Sequence, residues 1–166
     1  MKELDKKTLN FIYAGIGSRK TPIKILKEMT KIANFLNKKG YILRSGGAIG
    51  ADKAFENGSG NKKEIFYAKD ANKECLEIAK DIHPNWSALS DYAKKLHGRN
   101  IKQILGDSLK NPVDFLICWT PEGKKIGGTR TAIKLAESKN IKVYNLAIQK
   151  DRILLKDLLN KLPKKL

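Results

Sequence analysis

Cysteine and histidine are scarce in this sequence, two of each among 166 residues, and acidic residues number half the basic ones. Cys75 and Cys118 stand alone, the first in an expected helix and the second in an expected buried strand. Two isolated cysteines do not make the disulfide framework of a small secreted domain, so they read as reduced core residues. His83 and His97 have no cysteine beside them and no tight ligand spacing, so no metal is expected. No apolar run approaches the ~20 residues that span a bilayer, and Met1 to Asn10 is too charged for a secretory leader. A cytoplasmic protein with no membrane partner is expected.

Two familiar nucleotide motifs are also missing. No Gly-Lys-Ser/Thr triplet occurs, which excludes a Walker loop. The segment Gly15-Ile16-Gly17-Ser18-Arg19-Lys20 lacks the third glycine of the dinucleotide fingerprint, and no acidic residue ends the second strand to hold a ribose. No nicotinamide or other cofactor is expected.

What the sequence has in excess is positive charge. The formal net charge is +17, which favours polyanionic partners such as nucleic acid or phosphorylated metabolites; a lysine-rich surface kept for solubility is the competing explanation. Only five basic residues are arginine: Arg19, Arg44, Arg99, Arg130 and Arg152. Arginine offers a planar fork that fits phosphate in a way lysine does not. The first four fall in or beside the loops discussed next.

A hydrophobic content of 41% over this length fits one domain spanning 1–166. Short apolar runs alternate with helical periodicity, the pattern of βαβ units on a parallel sheet. The expected fold is a Rossmann-like, doubly wound α/β sheet of about five strands, its core at about 11–147. The expected strands are Phe11 to Ala14, Tyr41 to Arg44, Glu64 to Tyr67, Val113 to Cys118 and Lys142 to Leu146, with the fourth, the most apolar, central. Thr21 is expected to cap a helix starting at Pro22, with Ile25, Leu26, Met29, Ile32, Ala33 and Leu36 as its buried stripe and Gly40 at its end. Further helices are expected at about 51–56, at 72–82 ended by His83-Pro84, from Ser87 or Ser90 to about Leu105, through Ala136, and at about 151–162.

Three glycine-bearing segments each follow a strand and precede a helix: Gly15 to Arg19, Ser45 to Asp52, and Gly123 to Thr131. In a doubly wound sheet these strand ends share one edge, so the loops are expected to meet at one crevice. Glycine lets successive amides approach a phosphate closely, aided by the positive end of the following helix. The candidate binding residues are Gly17, Ser18 and Arg19; Arg44, Ser45, Gly46, Gly47, Ala48 and Gly50; and Gly127, Gly128, Thr129, Arg130 and Thr131. A tight strand-to-helix turn is the competing reading of any one loop. Trp119 and Trp86 are candidates for stacking on a base or for packing, with packing favoured for Trp86.

At these residues the chain resembles the SLOG superfamily, and within it the short phage-encoded relatives of the DNA-processing protein DprA (Smf). Gly17-Ser18-Arg19 looks like the group's first turn, and Ser45-Gly46-Gly47-Ala48-Ile49-Gly50 is similar to its serine-glycine-x-alanine-x-glycine loop. Gly98-Arg99-Asn100-Ile101 looks like its arginine-asparagine helix start, adding Arg99 and Asn100 as candidates. The superfamily also contains the LOG phosphoribohydrolases, which cleave the N-glycosidic bond of a nucleoside monophosphate. Ile126 to Lys134 resembles their third-loop motif, but Lys134 stands where the catalytic glutamate belongs and Arg130 replaces a glycine. Oxocarbenium-like chemistry needs a carboxylate; Asp52 or Glu56 would have to supply it, unless Asp52 simply caps its helix.

The resemblance implies a nucleotide or single-stranded nucleic-acid phosphate-binding protein. The alternatives are an N-glycosidase acting on a nucleotide, and a sponge or sensor for a nucleotide second messenger. The implied partners are a nucleotide or nucleotide-derived small molecule, single-stranded DNA and further copies of the chain, in a host cytoplasm if the protein is phage-encoded.

Overall fold

The computed structural model describes residues 9–166; residues 1–8, most of the charged N-terminal segment considered above, lie outside them. Five strands, β1 (Ile12–Gly15), β2 (Ile42–Ser45), β3 (Lys63–Ile65), β4 (Phe115–Cys118) and β5 (Lys142–Asn145), form one sheet in the order β3-β2-β1-β4-β5. All neighbouring pairs are parallel. Among the described residues six helices flank it: α1 (Ile23–Lys38), α2 (Ala51–Gly58), α3 (Lys73–Ile82), α4 (Asp91–Leu105), α5 (Arg130–Ser138) and α6 (Gln149–Lys161). This is the doubly wound, Rossmann-like arrangement expected, in a single compact domain.

Strand side chains alternate between two cores, as the period of two requires. Tyr13, Leu43, Phe115 and Ile117 pack with α1, α2 and α6. Ile12, Ala14, Leu116 and Cys118 pack with α3, α4 and α5. Because both faces are covered, β1 and β4 are apolar throughout. Phe115 anchors the first core, with ring centroids 5.9, 6.3 and 6.2 Å from those of Tyr13, Tyr41 and Tyr144. Truncating such a residue to alanine costs about 3–5 kcal/mol. Cys75 and Cys118 are buried and free.

The middle of the sheet is β1, not the Val113 to Cys118 strand, which lies between β1 and β5. That strand is also shorter than its apolar run. The Val113 amide donates to the Ile104 carbonyl at 2.9 Å, closing the end of α4, so the residue is buried without joining the sheet. The cap expected from Thr21 is absent. Pro22 occupies the N-cap position of α1, while the Thr21 hydroxyl donates to the Ser18 carbonyl at 2.6 Å and tightens the preceding turn. Elsewhere local chemistry acts as expected. Of the stripe expected on α1, Met29, Ala33 and Leu36 are buried while Ile25, Leu26 and Ile32 pack against the core half-buried; Ser90 rather than Ser87 caps α4 through the Ala93 amide at 3.1 Å, and His83 leaves α3 in an extended conformation before Pro84. No helix among the described residues is long and apolar enough to cross a membrane.

The chain runs outward from β1 through β2 to β3, then crosses back to β4 beside β1. The segments leaving the carboxyl ends of β1 and β4 therefore diverge, and a crevice opens between them.

Candidate functional site

The crevice encloses about 920 Å³ and is lined by all three glycine loops. Gly17, Ser18 and Arg19 come from the loop after β1, Gly46, Gly47 and Ala48 from that after β2, and Gly127, Gly128 and Thr129 from that before α5. Arg19, Lys20, Lys69 and Arg99 are its cationic lining side chains, and Asp52 its single acidic one among the described residues. Tyr67 and Tyr92, 47% and 65% exposed, complete the rim.

Helix α4 holds the loops in place. Arg99 Nη1 donates to the carbonyls of Gly46 at 2.9 Å and Phe66 at 3.0 Å, and its Nε donates to Asn100 Oδ1 at 2.9 Å. Asn100 Nδ2 donates in turn to the Gly128 carbonyl at 2.6 Å. Two consecutive residues thus bridge the second and third glycine loops and the segment after β3. A β-carbon at Gly46 would lie 2.6 Å from both Arg99 Nη1 and Gln103 Nε2, so a side chain there would have to displace the ends of both and with them the Arg99 bond to the loop. The Ser45 hydroxyl donates to the Gly15 carbonyl at 2.6 Å, tying the second loop to the first. Gly50, with φ 99° and ψ −126°, opens α2 in a conformation that side chains resist.

Asp52 is 4% exposed, in the first turn of α2, and its Oδ2 accepts the Ala48 amide at 3.3 Å. It is not the N-cap, a position Gly50 fills; it reaches back into the loop from inside the helix. Burial pushes its carboxyl up to about 6, against the opposing pull of Arg99 and of the Ala48, Gly17 and Gly46 backbones. A carboxyl with this proton affinity in a crevice floor can exchange a proton near neutral pH. His97 lines the same crevice, its Nδ1 2.7 Å from the Thr131 hydroxyl oxygen. Burial, with His83 and Arg99 adding to it, pushes that imidazole down to about 4, so it is neutral at physiological pH.

Several candidate residues lie outside the crevice lining. Arg44 is 2% exposed inside the sheet, its Nε donating to Glu64 Oε1 at 2.7 Å and its Nη1 to the Asn111 carbonyl. Glu56 pairs with Lys63 at 2.9 Å and Lys53 at 3.6 Å, which hold its carboxyl below the usual range. Trp119 lends its carbonyl to the Ser18 amide at 3.1 Å, while its side chain packs on the first core. Thr131 is buried against His97, and Arg130, at the start of α5, has its Nε buried without a partner among the described residues. Ser45 and Gly50 shape the second loop from behind. Trp86 packs on the second core with Lys94 Nζ 5.8 Å from its ring.

The sequence reading missed Lys20, Tyr67, Lys69, Tyr92, His97 and Gln103 as lining residues. Three of them had a usable signal. His97 and Gln103 share one face of α4 with Asn100, by the three-residue spacing of helical neighbours, and Lys20 directly follows the first turn.

The class defined by fold and site is a doubly wound α/β protein with a basic crevice at the carboxyl edge of its sheet, at the switch point between β1 and β4. Comparison with protein-family models, curated proteins and solved structures returns no match.

Proposed function

We propose that the protein binds the phosphate of a nucleotide, free or at the accessible end of a single-stranded nucleic acid. One observation carries this reading: three glycine loops and four cationic side chains surround one crevice. Glycine amides and fixed cations are the two devices by which α/β proteins hold phosphate. The exposed rings of Tyr67 and Tyr92 supply surfaces on which a base can stack, a contact worth about 1–3 kcal/mol per base. The resemblance to DprA-like members of the SLOG superfamily supports the same reading. Fluorescence polarisation with labelled adenosine monophosphate and a labelled single-stranded oligonucleotide tests it. Binding is expected to weaken as salt rises and to fall at least tenfold in an Arg19→Ala, Lys20→Ala variant. Undetectable binding of both probes refutes it.

A second reading, hydrolysis of a nucleotide's N-glycosidic bond, is favoured by Asp52, the one carboxylate lining the crevice among the described residues. Such a reaction passes through an oxocarbenium-like state that a carboxylate stabilises. Chromatographic detection of free base from nucleoside monophosphates tests it, and no release by folded protein removes it.

A further inference from the structure

A second concave surface shares no lining residue with the crevice and lies between α1 and α6. The two helices run side by side in the same direction. Arg152 Nη2 donates to Glu28 Oε1 at 2.7 Å towards their starts, and Lys39 Nζ donates to the Leu162 carbonyl at 2.8 Å at their ends. Between them runs a groove of about 540 Å³. Ile32, Leu146, Leu155 and Leu159 line it, and Phe35 and Ile153, 39% and 60% exposed, stand on its two walls.

The charges around this apolar lining are unequal. Glu28, the acidic residue of the groove, is matched by Arg152. Lys156 lines the groove, and Lys24 and Lys31 share the Glu28 stripe of α1 at the spacing of helical neighbours. All three are exposed and have no ion-pair partner among the described residues. An aliphatic floor beside unmatched cations fits an occupant that is apolar on one side and acidic next to it.

The form of the occupant follows from the walls. Their backbone groups are spent within helices, so an extended strand finds no edge to pair with. A helix satisfies its own backbone and offers side chains at i, i+3, i+4 and i+7 to a groove. A lipid surface lies flat against protruding apolar side chains and does not fill a concavity. A nucleic acid would engage the lysines and leave the aliphatic floor wet. A second copy would set Lys31 and Lys156 against the same residues of a molecule that also carries a net charge of +17.

We propose that the groove between α1 and α6 docks an amphipathic helix of a partner protein. Its apolar stripe is seated on Ile32 and Leu159 between Phe35 and Ile153, and its flanking glutamates or aspartates face Lys24, Lys31 and Lys156. Glu28 Oε2, buried without a hydrogen-bond partner among the described residues, accepts from a neutral donor on that helix. The groove runs along α6 from Gln149 to Asn160, the length of about three helical turns.

Fluorescence polarisation with a labelled peptide of about four helical turns, with leucines at i, i+3, i+4 and i+7 on a glutamate background, tests this. Two control peptides keep the length: one carries the same leucines on a lysine background, the other the same composition with the leucine spacing scrambled. The glutamate peptide is expected to bind the wild type about tenfold more tightly than either control. Ile153→Ser is expected to weaken it about tenfold, and the double variant Lys31→Glu, Lys156→Glu to make the lysine peptide the tighter ligand. No binding of the glutamate peptide overturns the proposal, as does equal binding of the scrambled peptide or binding that these substitutions leave unchanged. Dimerisation of the wild type in sedimentation velocity, abolished by Ile153→Ser, overturns it in favour of a second copy. Cosedimentation with phosphatidylglycerol vesicles, lost in the same variant, overturns it in favour of a membrane. The substituted positions are exposed; should a variant not fold, amide NMR shifts of the wild type with the glutamate peptide decide the question, being expected along α1 and α6 and overturning the proposal if they fall elsewhere.

Discussion

Replacing Asp52 by asparagine should stabilise the protein at neutral pH and not in acid. The carboxyl is pushed from an ordinary 3.8 up to about 6, mainly by burial. Between these values the native state holds a proton that the unfolded chain has released, so stability falls as pH rises through that window and is level above it. Each tenfold change in proton affinity corresponds to about 1.4 kcal/mol, so the ionised carboxylate costs the native state about 3 kcal/mol. The carboxamide of the variant would be neutral throughout and keeps an oxygen for the Ala48 amide. Urea denaturation of wild type and Asp52→Asn at pH 4.0, 5.0, 6.0 and 7.5 measures the difference. The variant should gain little at pH 4.0 and up to about 3 kcal/mol at pH 7.5. A difference that does not change with pH, or a variant losing stability towards pH 7.5, would refute the reasoning and show that the loop amides and Arg99 outweigh burial.

Arg99→Ala removes the bonds to Gly46 and Phe66, leaves Asp52 without its cation, and should cost about 3 kcal/mol in denaturant melts while weakening nucleotide binding. Arg44→Ala should cost a similar amount, because Glu64 and the Asn111 carbonyl lose their partner; its nucleotide affinity, measured well below the melting temperature, should match the wild type. The His97 ring resonances followed by NMR should titrate near 4, well below the usual 6.5. Because the unfolded chain takes up that proton at higher pH, the contribution of His97 to stability should be lost as pH falls from 6.5 to 4. Gly50→Ala should destabilise by more than about 1 kcal/mol, since its φ of 99° strains any side chain, and calorimetry would register this as a fall of several degrees in Tm.

The strand-and-helix order and the meeting of the loops were legible in the sequence, because hydrophobic periodicity and glycine placement report directly on a doubly wound sheet. Side-chain direction was not. Arg44 adjoins Ser45-Gly46 and so suggests a phosphate contact, but its partner is set by sheet register, which places it opposite Glu64 on β3. Glu56 was a plausible second carboxylate until packing brought Lys63 to it from a strand seven residues later. Arg99 and Asn100 were found by resemblance, yet what they do, holding Gly46, Phe66 and Gly128 together, depends on contacts between elements 28 to 53 residues apart. Tyr67 and Lys69 reach the rim only through the turn at Ala68–Asp70, braced by the Asp70 carboxylate on the Tyr67 amide at 2.7 Å, a detail no periodicity carries.

The most direct test of phosphate binding in the crevice is an amide proton–nitrogen NMR titration with adenosine monophosphate. Shifts are expected at Gly17 to Lys20, Gly46 to Ala48 and Gly127 to Thr129, and they should vanish in the Arg19→Ala, Lys20→Ala variant. Absent shifts, or shifts scattered over the lysine-rich surface and unchanged in that variant, would contradict the account.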